Sequence, residues 1–124
     1  NGADYVTPEG ETIPNSVLTR PADLPRSYAY CSDTIYMPEI AGLIEGVDLL
    51  FHEATFAHEN LIRARETFHT TALQAGELAK AAGVKKLLIG HFSARYEDET
   101  VLFEEASSVF PETVLAKETL CVEI

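Results

Sequence analysis

Asp33, Glu53, His69 and His91 are the side chains in this sequence whose types and spacing bear on chemistry. Asp33 follows the apolar run Tyr28-Ala29-Tyr30-Cys31, Glu53 ends Leu49-Leu50-Phe51-His52-Glu53, and His91 follows Leu87-Leu88-Ile89-Gly90. An aspartate oxygen and an imidazole nitrogen are ligands of the kind that zinc or manganese takes. Glu53 and His69 would make a carboxylate–imidazole pair. In such a pair the carboxylate fixes the tautomer and raises the basicity of the ring. A histidine held that way gives a proton to a leaving oxygen. His52 alternates with Glu53 along its strand and so faces the other way, which suits packing or support behind the site. Ser93 and Arg95 lie just past His91; an arginine there is an oxyanion anchor or a surface group, and the serine is a local backbone partner.

Each residue also has a plain structural reading. Asp33 would cap the helix that follows, and His91 would be a satisfied histidine at a strand end. Glu53 would accept backbone N–H groups, and His69 would face solvent before a helix. His58 reads as a surface group without a partner. Spacing alone leaves these alternatives open, and one Asp with one His is too few ligands for a two-metal centre.

The elements that must position these groups follow from pattern. Ser27–Cys31, Asp48–Glu53 and Lys86–Gly90 predict three buried strands, apolar at their centres, as in sheets covered on both sides. Pro38 opens a short helix, with Glu39 in its first turn and Gly46 at its end. Residues 57–68 predict a short helix plus a loop. Thr71 with Gln74 predicts a capping box for a helix that runs to Ala82 and stops at Gly83. Ala72, Ala75, Ala79 and Ala82 give that helix a small-residue stripe suited to close packing on a sheet. Asp98 predicts the cap of a further helix, with Leu102, Phe103, Ala106 and Val109 inward and Phe110-Pro111 ending it. Residues 113–116 and 120–123 predict two short closing strands about a Glu118-Thr119 turn. Residues 1–25 read as an irregular lead-in with a turn at Pro8-Glu9-Gly10 and a short strand near Ser16–Leu18. Residues 26–124 form the motif-bearing core. The class is α/β, helices layered on a sheet, and sites in such sheets gather beyond the carboxyl ends of the strands.

Composition bounds the function. The chain has 124 residues, 46% hydrophobic and 23% charged, which fits one ordered domain. No apolar run approaches the roughly 18 residues of a membrane span. No basic, apolar leader stands at the start, which is Asn1-Gly2 rather than Met, as expected of a chain processed or cut from something longer. Twenty acidic residues against nine basic ones give a net charge of −11, which argues against general nucleic-acid affinity. A site whose positive charge comes from bound cations escapes that argument. Cys31 and Cys121 read as two buried thiols in a reducing compartment.

The wording of the segments is more specific than their spacing. Ser32-Asp33-Thr34, His52-Glu53-Ala54-Thr55-Phe56, His69-Thr70-Thr71-Ala72, Gly90-His91-Phe92-Ser93-Ala94-Arg95-Tyr96 and Val109-Phe110-Pro111-Glu112-Thr113 occur in order. From about Tyr28 onward the chain resembles the C-terminal part of the ribonuclease Z family, the tRNA 3'-processing endonucleases of the metallo-β-lactamase superfamily. The resemblance implies the C-terminal half of an αββα sandwich, a mixed sheet with covering helices. It implies Asp33 as the aspartate that bridges two metals and His91 as a late ligand to one of them. It implies Glu53 and His69 as the proton-transfer pair, and Ser93 and Arg95 as contacts to substrate phosphate. Two zinc ions per full-length subunit are expected, with manganese as a substitute, together with a cytoplasmic homodimer, no membrane association, and precursor tRNA as substrate.

The family's His-x-His-x-Asp-His segment, and the histidine before the bridging aspartate, have no match here. The expectation is therefore a fragment that binds little or no zinc and does not cleave RNA by itself. Half a sandwich is also expected to expose an apolar sheet face unless it dimerises. Alternatives are another hydrolase of the same fold, arylsulfatase- or phosphodiesterase-like, or a non-catalytic α/β assembly domain.

Overall fold

The architecture is a four-stranded parallel sheet with helices on one face, seen in a computed structural model that describes residues 2–124. The lead-in is more ordered than its sequence suggests. Tyr5–Val6 (β1) and Thr12–Ile13 (β2) pair antiparallel across the turn at Pro8-Glu9-Gly10. The strand expected near Ser16–Leu18 is instead one helical turn, Asn15–Leu18 (α1). Pro14 supplies a fixed φ at its start, and the Asn15 carbonyl takes the Thr19 N–H.

The core begins at Tyr28–Cys31 (β3). Pro38–Leu43 then forms a 3-10 helix, followed by Leu49–Glu53 (β4). His58–Asn60 is a second 3-10 turn that leads into Leu61–Glu66 (α2). Ala72–Ala82 (α3), Leu87–Gly90 (β5), Thr100–Val109 (α4) and Thr113–Leu115 (β6) complete the chain. The strands lie in the order β3-β4-β5-β6, every neighbour parallel. With the β1–β2 hairpin, both kinds of pairing are present, in separate sheets.

Helix α3 forms as its sequence dictates. Thr71 accepts from the Gln74 backbone N–H, and the Gln74 side chain accepts from the Thr71 N–H at 3.1 Å, the reciprocal pair of a capping box. Gly83 ends the helix at φ 61°, a left-handed position that costs glycine nothing. The small-residue face packs against α4 as well as the sheet. A Cβ at Gly76 would lie 2.7 Å from the Ala106 carbonyl oxygen, so the two helices approach to backbone contact there. The cap position of α4 is Glu99, without a side-chain cap bond, and Asp98 stands one residue further out, accepting from the Thr100 N–H at 3.0 Å and hydroxyl at 2.6 Å.

Strand alternation divides the sheet. Leu50, His52, Leu87 and Ile89 face the helices and are buried with Leu78, Leu102 and the α3 alanines. Tyr28, Tyr30, Phe51 and Leu88 face the other way. On that face Tyr30 is 65% exposed, and its ring stacks on Phe51 at 4.7 Å between centroids. One apolar sheet face is therefore uncovered in the single chain, as a half-sandwich requires.

Two expectations fail at the C-terminal end. Residues 120–123 form no strand: β6 is an edge strand, Thr119 turns the chain at φ 67°, and Leu120 is 45% exposed with no ladder to join. Cys121 is exposed and Cys31 half-buried, so the thiols are not a buried pair.

Candidate metal and acid–base site

Parallel pairing brings the carboxyl ends of β3, β4 and β5 to one edge of the sheet, and the ionisable groups arrive with them. Asp33 comes from the loop after β3, Glu53 is the last residue of β4, and His91 follows β5. His69 arrives differently. An isolated parallel bridge between Phe56 and Thr71 pulls the α2–α3 connection alongside the continuation of β4, with the Ala72 N–H on the Phe56 carbonyl at 2.9 Å.

Glu53 organises the site. It is fully buried, and it accepts from the Thr34 N–H at 2.6 Å, the Thr70 N–H at 3.1 Å, the Thr55 hydroxyl at 2.6 Å and His69 Nδ1 at 3.0 Å. A buried carboxylate is tolerated only when its lone pairs are filled this fully. Thr55 extends the network. Its oxygen lies 3.0 Å from His91 Nδ1, so with its proton on Glu53 it accepts from that N–H. Glu53 therefore orients His69 directly and His91 through Thr55, and the bond at each Nδ1 leaves each Nε2 free to act. His91 Nε2 stands 3.1 Å from Asp33 Oδ1, and donor atoms of Asp33, His69 and His91 all lie within 4.8 Å of one another.

These donors fit a metal. An ion bound at about 2.0–2.2 Å holds two ligand atoms roughly 3–3.5 Å apart. The Asp33–His91 separation matches, and one oxygen with two nitrogens is a donor set of zinc or manganese. Asp33 caps nothing: the 3-10 helix after it has Met37 at its cap and no side-chain cap bond. Asp33 and His91 also share an unusual backbone, with φ of 49° and 59°. Left-handed non-glycine residues carry strain that the surrounding structure must hold in place, and such strain collects at functional sites.

No family model matches the chain. Curated relatives do. Ribonuclease Z of Bacteroides fragilis is 67% identical over 124 residues, covering 100% of this chain and 41% of its own length. That of Phocaeicola vulgatus is 66% identical over the same span, covering 40% of its own length. Along its whole length the chain is similar to ribonuclease Z. It spans about two fifths of the length of these curated relatives, and the match falls on their C-terminal part. Solved structures agree on the fold. The metallo-β-lactamase fold protein YhfI of Bacillus subtilis matches with a TM-score of 0.68 at 30% identity, covering 74% of this chain and 38% of that one. The short form of human tRNase Z matches with a TM-score of 0.56 at 29% identity, covering 76% of this chain and 30% of that one.

The remaining ribonuclease Z segments take up distinct positions. Arg95 is exposed, its guanidinium 4.9 Å from the Phe56 ring centroid, and it donates to Asn60 Oδ1 at 3.0 Å. The Ser93 N–H donates to the Thr55 carbonyl at 3.1 Å, tying this loop to the end of β4. His58, expected to lack a partner, has two: its N–H donates to the Glu105 carboxylate at 2.8 Å, and its Nδ1 meets Thr71 Oγ1 at 3.2 Å. No helix among the described residues is long and apolar enough to cross a membrane.

Three threonines complete the site without standing out in the sequence. Thr34 and Thr70 give backbone N–H groups to Glu53, and Thr70 Oγ1 donates to the Thr34 carbonyl at 2.8 Å, locking the Asp33 loop to the His69 loop. Thr55 is the third. Its signal was available: it stands two positions after Glu53, and the strand period of two puts both on the same side.

His52 faces the helices, as alternation predicts. Its Nδ1–H donates to the Glu53 carbonyl at 2.7 Å, and its Nε2 has no partner among the described residues. Burial pushes this imidazole below its ordinary value of 6.5, so it stays neutral when folded. The unfolded chain takes up a proton below that pH and the folded chain does not. Stability is thus full above about pH 6.5 and falls as pH drops toward the depressed folded value, by up to about 1.4 kcal/mol per pH unit. Urea unfolding of wild type and His52→Gln near pH 7.5 and near pH 5.5 checks this. The variant is expected to lose less stability on acidification, and equal losses would rule out His52 as the cause.

Proposed function

We propose that this chain is the C-terminal, acid–base-bearing portion of a metal-dependent endoribonuclease that hydrolyses one phosphodiester at the 3' end of precursor tRNA and so removes the 3' trailer. The observation that carries the proposal is the Glu53 network, which aims two histidines and an aspartate at one point beyond the sheet. The likeness to these relatives and their printed name support the same reading. In the reaction water attacks phosphorus and the bond to the departing 3'-oxygen breaks. His69, its Nδ1–H held by Glu53, carries a second proton on Nε2 as the donor and gives it to that oxygen, so the tRNA leaves with a 3'-hydroxyl. Asp33 and His91 hold metal, zinc in our reading. A bound two-metal centre supplies an activated water and charge neutralisation at the phosphoryl oxygens. Arg95 and Ser93 contact substrate phosphate. The working form we propose is a cytoplasmic homodimer, with the Tyr30–Phe51 face covered by the other half of an αββα sandwich.

The test compares this chain with a protein extended to the relatives' length. Zinc by elemental analysis is expected near two per extended subunit and almost absent from the 124-residue chain. The extended protein is expected to cleave precursor tRNA at one position and to prefer it strongly over small phosphodiesters. Equal turnover of a small phosphodiester would favour the other hydrolase reading. Near-stoichiometric zinc in the short chain would mean that this portion completes a site by itself.

A further inference from the structure

Among the described residues, four non-glycine residues have left-handed backbone: Asp33, Phe68, His91 and Thr119. Two are the metal-ligand candidates. Phe68, at φ 60°, immediately precedes His69. Helix α2 ends there in a Schellman motif, with the His69 N–H on the Ala64 carbonyl at 2.8 Å and the Phe68 N–H on that of Arg65 at 3.3 Å. Glycine is the usual residue at this place, because a Cβ in the left-handed region is strained. An aromatic side chain there would be repaid by burial, but Phe68 is 70% exposed. Folding of this chain gives no reason for a phenylalanine at the position.

Its surroundings suggest one. Arg63 and Arg65 lie on α2, both exposed, in a chain of net charge −11. Across His69 lies Phe56, edge-on at 6.0 Å between centroids, with the Arg95 guanidinium over its ring. Aromatic residues thus adjoin the proton-donor candidate, Phe68 along the chain and Phe56 in space, with exposed arginines on α2 and over the Phe56 ring, Arg63 standing 3.7 Å from Glu66. Single-stranded RNA is held by this combination, with bases stacked on rings and cations along the backbone.

We propose that Phe68 is a stacking platform for the unpaired nucleobase next to the scissile phosphate, and that the left-handed turn exists to present the ring beside His69. The proposal rests on the precursor-tRNA reading above. It makes Phe68 a positioning residue, tolerant of base identity because every base offers a flat face.

The experiment uses the protein extended to the relatives' length, as wild type, Phe68→Gly and Phe68→Tyr. Substrates are precursor tRNAs carrying 2-aminopurine on either side of the scissile phosphate, followed by stopped flow before turnover. Glycine suits the turn, so Phe68→Gly is expected to melt at the same temperature or higher. Its KM is expected to rise about tenfold with kcat within about twofold, in the range of one lost base stack. Phe68→Tyr is expected to match wild type. The 2-aminopurine emission is expected to be quenched by wild type and Phe68→Tyr and to stay bright with Phe68→Gly. An unchanged KM in Phe68→Gly would overturn the proposal, as would a lower melting temperature with quenching retained, which would mean that protein covers the ring. If wild type neither binds nor cleaves precursor tRNA, the function reading falls and this inference falls with it. If wild type cleaves and Phe68→Gly is indistinguishable from it, only the stacking role is lost.

Discussion

Glu53→Ala is expected to destabilise this chain by about 3–5 kcal/mol, a large share of the roughly 5–15 kcal/mol that holds a domain together. The substitution removes an acceptor and leaves four donors behind. The Thr34 and Thr70 N–H groups, the Thr55 hydroxyl and His69 Nδ1 all point at the carboxylate. Thr55 and Thr70 are buried, so water does not readily replace what is lost. The three loops that carry Asp33, His69 and His91 would lose their common anchor. Glu53→Gln should cost less, since one oxygen still accepts, but its amide presents N–H to groups that are themselves donors. Urea unfolding of wild type, Glu53→Gln and Glu53→Ala should rank them in that order. A loss below about 1 kcal/mol in the alanine variant would mean that the network is not what orders this edge of the sheet.

His69→Ala, in the protein extended to the relatives' length, is expected to lower kcat by about 10²- to 10⁴-fold, the usual effect of removing a positioned general acid. KM should change little, because the interaction is made at the departing oxygen in the transition state. His69 also falls within the metal-competent cluster, so zinc content must be measured on the same sample. Retained zinc with a depressed rate marks a proton donor. Loss of zinc would make His69 a ligand and leave the proton donor to be found elsewhere. His91→Ala gives the contrast: metal should leave with that side chain, so rate and zinc should fall together.

Much of this site was legible in the sequence because parallel strands carry their polar residues to a shared end. A strand that stops at Asp33, Glu53 or His91 delivers that residue to the same edge whatever the loops do. The capping box at Thr71 and the stop at Gly83 were legible because both are local, satisfied within one turn of α3. What remained hidden was non-local. Nothing in the spacing says that Thr55 links a carboxylate to a histidine 36 positions further along, or that His58 meets Glu105 at a separation of 47. The strand expected over residues 120–123 has the right composition but lies past the edge of the sheet, and a strand needs a neighbour. The helical turn at Asn15–Leu18 has no buried side and so no periodicity to read.

The strand order β3-β4-β5-β6 follows the order of the chain, and every step is a crossover between adjacent strands. No strand has to wait for a later one to be inserted beside it, so the sheet can grow from one edge as the polypeptide leaves the ribosome. Each step still closes a long loop before its pairing is rewarded, which makes assembly slow compared with a helical bundle of this size. The Tyr30–Phe51 face lies open to other nascent chains throughout that interval and stays open in the folded single chain. Lower temperature and slower synthesis should therefore raise the soluble yield of this chain more than they would for a domain whose sheet is covered on both sides.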